Sequence, residues 1–338
     1  MSRGLSDRGR LNIPFYPLSP QEVWLRSGAK DSKCYQSEQD QSLLFDYIES
    51  SVEGFQRDQA STFRLVTDNE TLPNLKARGL EHSEAMWTVR TLLGVRQAFT
   101  AVWETPDLIS SFDGASALLA ADENFSPPQV GLHVDANWHM GEEQRGMKAV
   151  QGMLLLTDQS AATGGLVVLP RSHELHEKLQ QGGIINGASW LYPIDGFASE
   201  LLNTSRLLIK ARAGDLVLWD SRLVHAVVPP IDEPAAAAAA AIDAAGTSGR
   251  VLRLAAYVCM TPRQFAAEGW LRTRWMAFHQ KVATGHWPHL PNLVGSLNTL
   301  PEQQLKDQSP DTAGFEDKLS CDHVPLDVCQ LIGLPDPQ

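Results

Sequence analysis

Several things are scarce in this chain, and each shortage removes a class of function. Four cysteines, at 34, 259, 321 and 329, are spread over 338 residues with no CxxC spacing among them. That is too few for a disulfide scaffold, so free thiols in a reducing, cytoplasmic compartment are expected, with a Cys321–Cys329 pair as the less favoured alternative. No run of twenty apolar residues is present, and the opening MSRGLSDRGRLN is followed by no apolar stretch. Neither a membrane span nor a secretory signal is therefore expected. Basic charge is also short. Lys and Arg number 28 against 40 Asp and Glu, a net charge of −12, which argues against nucleic acid or an anionic membrane as partner. The HExxH, GxSxG, Walker and GxGxxG patterns are all missing, so the chemistry they carry has no foothold here.

What is present fits a globular protein with a sizeable core: 43% of residues are hydrophobic and 20% charged. Residues 1–34 are polar with Pro and Gly and read as an N-terminal arm. Helical spacing of Leu43, Leu44, Tyr47, Ile48 and Phe55 predicts a helix over 37–57, and Trp87, Leu92, Val95, Phe99 and Val102 predict a second over 83–102. Short apolar runs then follow at 150–156, 165–169, 207–210, 215–219, 224–228 and 251–260, broken by Gly, Pro, Asp and Ser. Many short strands without regular intervening helices predict a mainly β protein with flanking helices, an antiparallel jelly roll of cupin-like form. The layout expected is a domain at 35–287, with a helical scaffold at 37–110 and a jelly-roll core near 126–262. A Pro-rich tail at 288–338 carries a last short helix near 326–332. Seven consecutive alanines, 235–241, sit in a loop between two strand runs and read as an insertion without catalytic meaning.

The chemistry concentrates in G-L-H-V-D-A-N-W-H-M, residues 131–140. On a strand, residues i and i+2 share a face. His133 and Asp135 would then present an imidazole and a carboxylate side by side, two ligands of a 2-His-1-carboxylate triad. Such a triad leaves open positions on iron for a co-substrate and dioxygen. The third ligand must come from a distant strand, and G-D-L-V-L-W-D-S-R-L-V-H, 214–225, supplies His225. Arg253, opening the strand run R-L-A-A-Y-V-C-M, offers a fork for a carboxylate; Arg250 is its rival.

The order H-x-D, then G-G-L-V-V-L-P-R-S-H at 164–173, then the 214–225 motif and an Arg on the following strand, resembles the phytanoyl-CoA dioxygenase family over about residues 85–285. The resemblance implies a double-stranded β-helix. It also implies Fe(2+) on His133, Asp135 and His225, 2-oxoglutarate as co-substrate on Arg253, and hydroxylation of a small organic substrate by O2 with release of succinate and CO2. Gln129 and Gln151 match positions that face the co-substrate in relatives, and no catalytic group beyond the metal ligands is expected. The family's P-G-S-H turn reads P-R-S-H here, with Arg171 for Gly. The alanine insertion lengthens the interval between His225 and Arg253, and Ala255 stands where relatives have Ser or Thr. Asp135 disfavours halogenation, for which relatives replace the acidic ligand.

Other readings weigh against these. His133, Asp135 and His225 could be ordinary polar or core residues, the site could be a relic in a non-enzymatic jelly roll, or the metal could serve a cupin-type hydrolase. Trp138, Trp190, Tyr192 and Trp219 are candidates to line a substrate cavity, with buried aromatic core as the plain alternative. A mobile lid is expected over 182–206, where G-G-I-I-N-G-A-S-W-L-Y-P-I-D-G-F is Gly-rich and aromatic. Arg90 and Arg96 read as a solvated helix face. His139, His173, His176, His279, His286 and His289 read as structural or exposed, with Ser172 capping a helix from Glu174. Oligomeric state is not legible.

Overall fold

The computed structural model describes residues 15–19, 23–26, 37–67, 74–75, 77–120, 131–137, 141–142, 145–181, 192–193, 206–231, 251–294 and 324–333. In chain order the strands are β1 Phe15–Ser19, β2 Val23–Arg26, β3 Leu108–Ser110, β4 Ala115–Leu119, β5 His133–Val134, β6 Val150–Leu155 and β7 Gly165–Val168. They continue as β8 Tyr192–Pro193, β9 Leu207–Leu208, β10 Leu216–Asp220, β11 His225–Val228, β12 Val251–Pro262, β13 Ala283–Thr284 and β14 Leu293–Val294. The α-helices are α1 Ser37–Ser51, α2 Glu84–Thr91, α3 Leu93–Trp103, α4 His176–Gln181, α5 Glu268–His279 and α6 Leu326–Ile332.

Two antiparallel sheets face each other as the expected jelly roll. One runs β1-β2-β10-β6-β12-β3 with β4 also on β12, the other β8-β5-β11-β7-β9. Strand alternation divides the core in two. Odd-numbered residues of β6 and β12, with Val217 and Trp219 of β10, pack between the sheets. There Met153, Leu155 and Ala255 meet Leu166 and Val168 of the opposite sheet. Even-numbered residues such as Leu154, Leu216, Leu218, Leu254, Val258 and Met260 face the helices. Because both faces of the large sheet are covered, β6 and β10 are buried at every residue. Gly152 lets α3 approach: a Cβ there would lie 2.7 Å from Leu218 Cδ2 and 3.2 Å from Phe99 Cζ. Phe99 is fully buried, so truncating it to Ala would cost about 3–5 kcal/mol.

Some expectations fail for identifiable reasons. The N-terminal arm contains a hairpin, β1–β2, that adds to the edge of the large sheet through β10. The helix expected over 37–57 stops at Ser51, before Gly54 at φ 83°. The helix expected over 83–102 is two helices broken at Leu92, whose ψ of 124° is extended. Just before the break, the Thr91 hydroxyl bonds back to Trp87 O at 2.8 Å, a contact that bends helices.

Arg90 is not on a solvated face. It is fully buried, lies 4.8 Å from the Trp87 ring, and donates to the carbonyls of Glu81 and Asp113. Burial lowers its pKa to about 10. Ser172 caps no helix; its Oγ accepts from Val224 N at 2.8 Å. Cys259 is a free thiol, but Cys329 is disulfide-bonded, which removes the cysteine argument for a reducing compartment. No helix among the described residues is long and apolar enough to cross a membrane. The alanine run 235–241, Arg250, Gln129, Trp138 and Trp190 lie outside the described residues, as does the 182–206 stretch apart from β8 and Arg206.

Candidate metal centre

β5 and β11 pair at a single position, His133 opposite His225. This puts two imidazoles side by side, with ring centroids 4.2 Å apart. Asp135 follows two residues after His133, and its backbone N–H donates to Ser221 O in the turn after β10. His176 of α4 donates Nε2–H to Ala136 O at 2.8 Å and so fixes the next residue. The 214–225 motif thus delivers both the turn that holds Asp135 and the strand that carries His225. The P-R-S-H turn serves the same end, since Ser172 holds the backbone one residue before His225.

Nε2 of His133 lies 3.8 Å from Asp135 Oδ1, and Nε2 of His225 lies 3.3 Å from Asp135 Oδ2. One ligand atom from each residue fits within 4.8 Å of the other two. Both imidazoles spend Nδ1–H on a backbone carbonyl two residues earlier, Gly131 O and Leu223 O, each at 2.8 Å. That fixes the tautomer that leaves Nε2 as a lone-pair donor. All three side chains are buried, at 5%, 5% and 4% exposure. Burial, then the neighbouring His225, lowers the His133 pKa to about 4. Burial also works against the Asp135 charge, but at the low pH where the carboxylate would take up a proton the histidines are cations, and the hydrogen bond from His225 and the charges of His133, His225 and His286 outweigh it. Its pKa therefore stays below the usual carboxylate range. Two neutral nitrogens and one carboxylate on one side of a cavity form the donor set that suits iron(II) with positions left open.

Gln151 donates Nε2–H to Asp135 Oδ2 at 2.7 Å, while its Oε1 has no partner among the described residues. Trp219 lies beside His225, with ring centroids 5.5 Å apart, and lines the cavity. Tyr192 takes part through its backbone, opposite Val134.

Arg253 lies on β12 with no exposure. Its Nη1 reaches Ser116 Oγ at 3.4 Å and Nη2 the Met153 sulfur at 3.0 Å, and its Nε has no partner. Burial lowers its pKa, opposed by Tyr257. No carboxylate among the described residues pairs with it, and a buried cation in that state is matched by an incoming anion. Met153 stands opposite Tyr257, and Gln151 opposite Cys259, one alternation further along. Arg253 thus meets the cavity wall through Met153, about two strand residues, roughly 7 Å, along β6 from Gln151, the partner of Asp135.

The metal cavity, about 710 Å³, opens beside an outer chamber of about 1000 Å³; both are walled by Asn74, Asp113, Asp135, Tyr257 and His286. His286 Nδ1 pairs with Asp113 Oδ1 at 3.2 Å. Sequence reading named Asp135 and took His286 as structural or exposed, and it passed over Asn74, Asp113, Tyr257 and Cys259. Tyr257 and Cys259 were within reach, lying four and six residues beyond Arg253 and so on its strand face. Asp113 and His286 have no local signature, since only the fold brings them together.

The sequence pattern of the phytanoyl-CoA dioxygenase family matches residues 26–228. The Ava biosynthesis cluster protein O of Aspergillus versicolor is 28% identical over 224 residues, 62% of this chain. The chain spans 65% of that curated relative's length. Among solved structures, the epimerase SnoN with Fe3+, alpha ketoglutarate and nogalamycin RO is 14% identical, covering 72% of this chain and 80% of its own, with a TM-score of 0.45. EctD from S. alaskensis with bound Fe is 15% identical, covering 73% and 75%, also with a TM-score of 0.45.

Proposed function

This chain belongs to the phytanoyl-CoA dioxygenase family, and we propose that it is an Fe(II)/2-oxoglutarate-dependent dioxygenase that hydroxylates a small organic substrate. His133, Asp135 and His225 hold the metal, and Arg253 receives the far carboxylate of 2-oxoglutarate. When bound, the iron and its co-substrate supply an oxidation in which one O2 is shared between succinate, formed with loss of CO2, and the hydroxylated product. The chain's own part is placement. Two backbone carbonyls aim the imidazoles, Gln151 turns Asp135, and Arg253 with Tyr257 sets the length of diacid that fits. The apolar walls Met153, Leu166 and Trp219 keep water from the reacting centre.

One observation carries this reading. A triad of donor atoms within 4.8 Å of one another shares a cavity wall with Met153, the residue touched by a fully buried guanidinium that no carboxylate among the described residues pairs with. The substrate and the partners beyond a small molecule and O2 belong to the proposal, as do the Fe(II) roles of the named residues. The test is anaerobic Fe(II) titration with O2-dependent succinate release from 2-oxoglutarate, comparing wild type with Asp135→Ala. We expect one iron per chain and succinate in the wild type, both lost in the variant. Full iron content and turnover in Asp135→Ala would overturn the triad, and iron binding without any succinate would favour a relic site.

A further inference from the structure

His286 stands in the strip of wall common to the metal cavity and the outer chamber. Its side chain is 41% exposed while its partner Asp113 is 8% exposed, so the ring is gripped from behind and open in front. The grip is rigid. Asp113 Oδ2 accepts from Ser111 Oγ at 2.7 Å, and Ser111 Oγ accepts from the backbone N–H of Cys259 at 3.0 Å. Cys259 stands opposite Gln151 on β6, the residue that orients Asp135. Two strands of one sheet therefore set the spacing between His286 and the metal ligands. With Nδ1 committed to Asp113, Nε2 is left for the cavity.

We propose that His286, held by Asp113, binds and orients the substrate, and that the substrate is a small cyclic or aromatic acid that offers His286 an oxygen anion. This rests on the oxygenase reading of the metal cavity. The chamber supplies flat apolar surface for such a body in Phe112, Trp287 and Tyr257. Charge decides the head group. Neither cavity has a Lys or Arg in its wall among the described residues. Burial acts against the His286 cation but is outweighed by Asp113, through charge and hydrogen bond, which raises its pKa above the ordinary value. Burial pushes the Glu81 carboxyl up. One cation among three carboxylates can take one acid group, and it cannot neutralise the several phosphates of a coenzyme A thioester.

The test uses three probes on one ring: 2-naphthoate, 2-naphthylmethylammonium and 2-methylnaphthalene. Each is titrated anaerobically into protein loaded with Fe(II) and 2-oxoglutarate, following the metal-centred absorbance and the binding isotherm. We expect naphthoate to bind about tenfold tighter than the other two, as one charge-assisted hydrogen bond allows. That preference should vanish in His286→Ala, return in part in His286→Gln, which restores a donor, and survive Glu81→Gln. Equal affinity for the three probes, absence of naphthoate binding, tightest binding of the ammonium probe, or a naphthoate preference that persists in His286→Ala would each overturn the proposal. The wild-type order needs no variant to fold. Iron stoichiometry and succinate release, read on the same wild-type samples, report separately on the oxygenase reading, and their loss with the naphthoate preference intact would sink that reading alone.

Discussion

Gln151 donates its amide to Asp135 Oδ2 at 2.7 Å, both side chains being buried. The bond fixes the orientation of the carboxylate beside the two Nε2 atoms, and it would share the negative charge that a bound metal neutralises. Groups in this position tune affinity by about 10–100-fold when removed. Gln151→Leu should therefore weaken Fe(II) binding by about that factor, with little loss of fold, since leucine fills most of the space beside Trp219. Anaerobic iron titration with far-UV circular dichroism checks it. Unchanged iron affinity would mean that Asp135 is held by Ser221 and the strand alone.

On the proposed reading, recognition of 2-oxoglutarate turns on Arg253. A guanidinium offers two parallel donors to a carboxylate, and removing it leaves the anion buried without a partner. Arg253→Ala should raise the Michaelis constant for 2-oxoglutarate by about 100-fold and spare iron binding. Arg253→Lys should fall between the two, because an ammonium keeps the charge but loses the fork. A normal constant in Arg253→Ala would move the co-substrate to another cation.

Much of this site was legible in the chain because strand periodicity is short-ranged. His133 and Asp135 lie two residues apart, and the buried runs that became β6, β10 and β12 announce themselves by composition. His225 and Arg253 could be named because each opens such a run. What escaped depended on contacts with no local pattern. Asp113 and His286 are 173 positions apart in the chain and meet only at the wall between two cavities. Arg90 reads as solvated because charge on a helix usually is, whereas here the carbonyls of Glu81 and Asp113 take its donors. The β1–β2 hairpin was hidden by the Pro and Gly around it and joins the large sheet through β10.

Buried neutral histidines should make the metal-free protein sensitive to acid. Burial lowers the pKa of His82 to about 3, and those of His133 and His289 to about 4. For each, the unfolded chain takes up a proton near the ordinary value of about 6.5 while the folded chain does not. Stability is thus intact above about pH 6.5 and falls as pH drops toward 4. Each histidine contributes a slope of up to about 1.4 kcal/mol per pH unit. Urea midpoints between pH 8 and 5 should decline, and Fe(II), which on the proposed reading binds only neutral His133, should steepen the decline. A flat profile would show that these rings are hydrated in solution.

Arg171 occupies the left-handed region, at φ 65°, in the turn where the family places glycine. A side chain there costs about 1–2 kcal/mol relative to the ordinary helical region, and glycine gives back part of its advantage through the freer unfolded chain. The Arg171–Glu174 ion pair, 2.9 Å long with side chains 69% and 49% exposed, offsets little of that strain. Arg171→Gly and Arg171→Ala both remove the ion pair, but only the alanine keeps the strain. The glycine variant should be the more stable of the two by about 0.5–1 kcal/mol, read from denaturant midpoints at equal m-value. Because Ser172, the next residue, holds the backbone ahead of His225, the relaxed turn should also leave iron affinity at least as tight as in the wild type. Equal stability of the two variants would mean that the turn adjusts to a side chain at no cost, and weaker iron binding in the glycine variant would mean that rigidity at Arg171 is part of how His225 is placed.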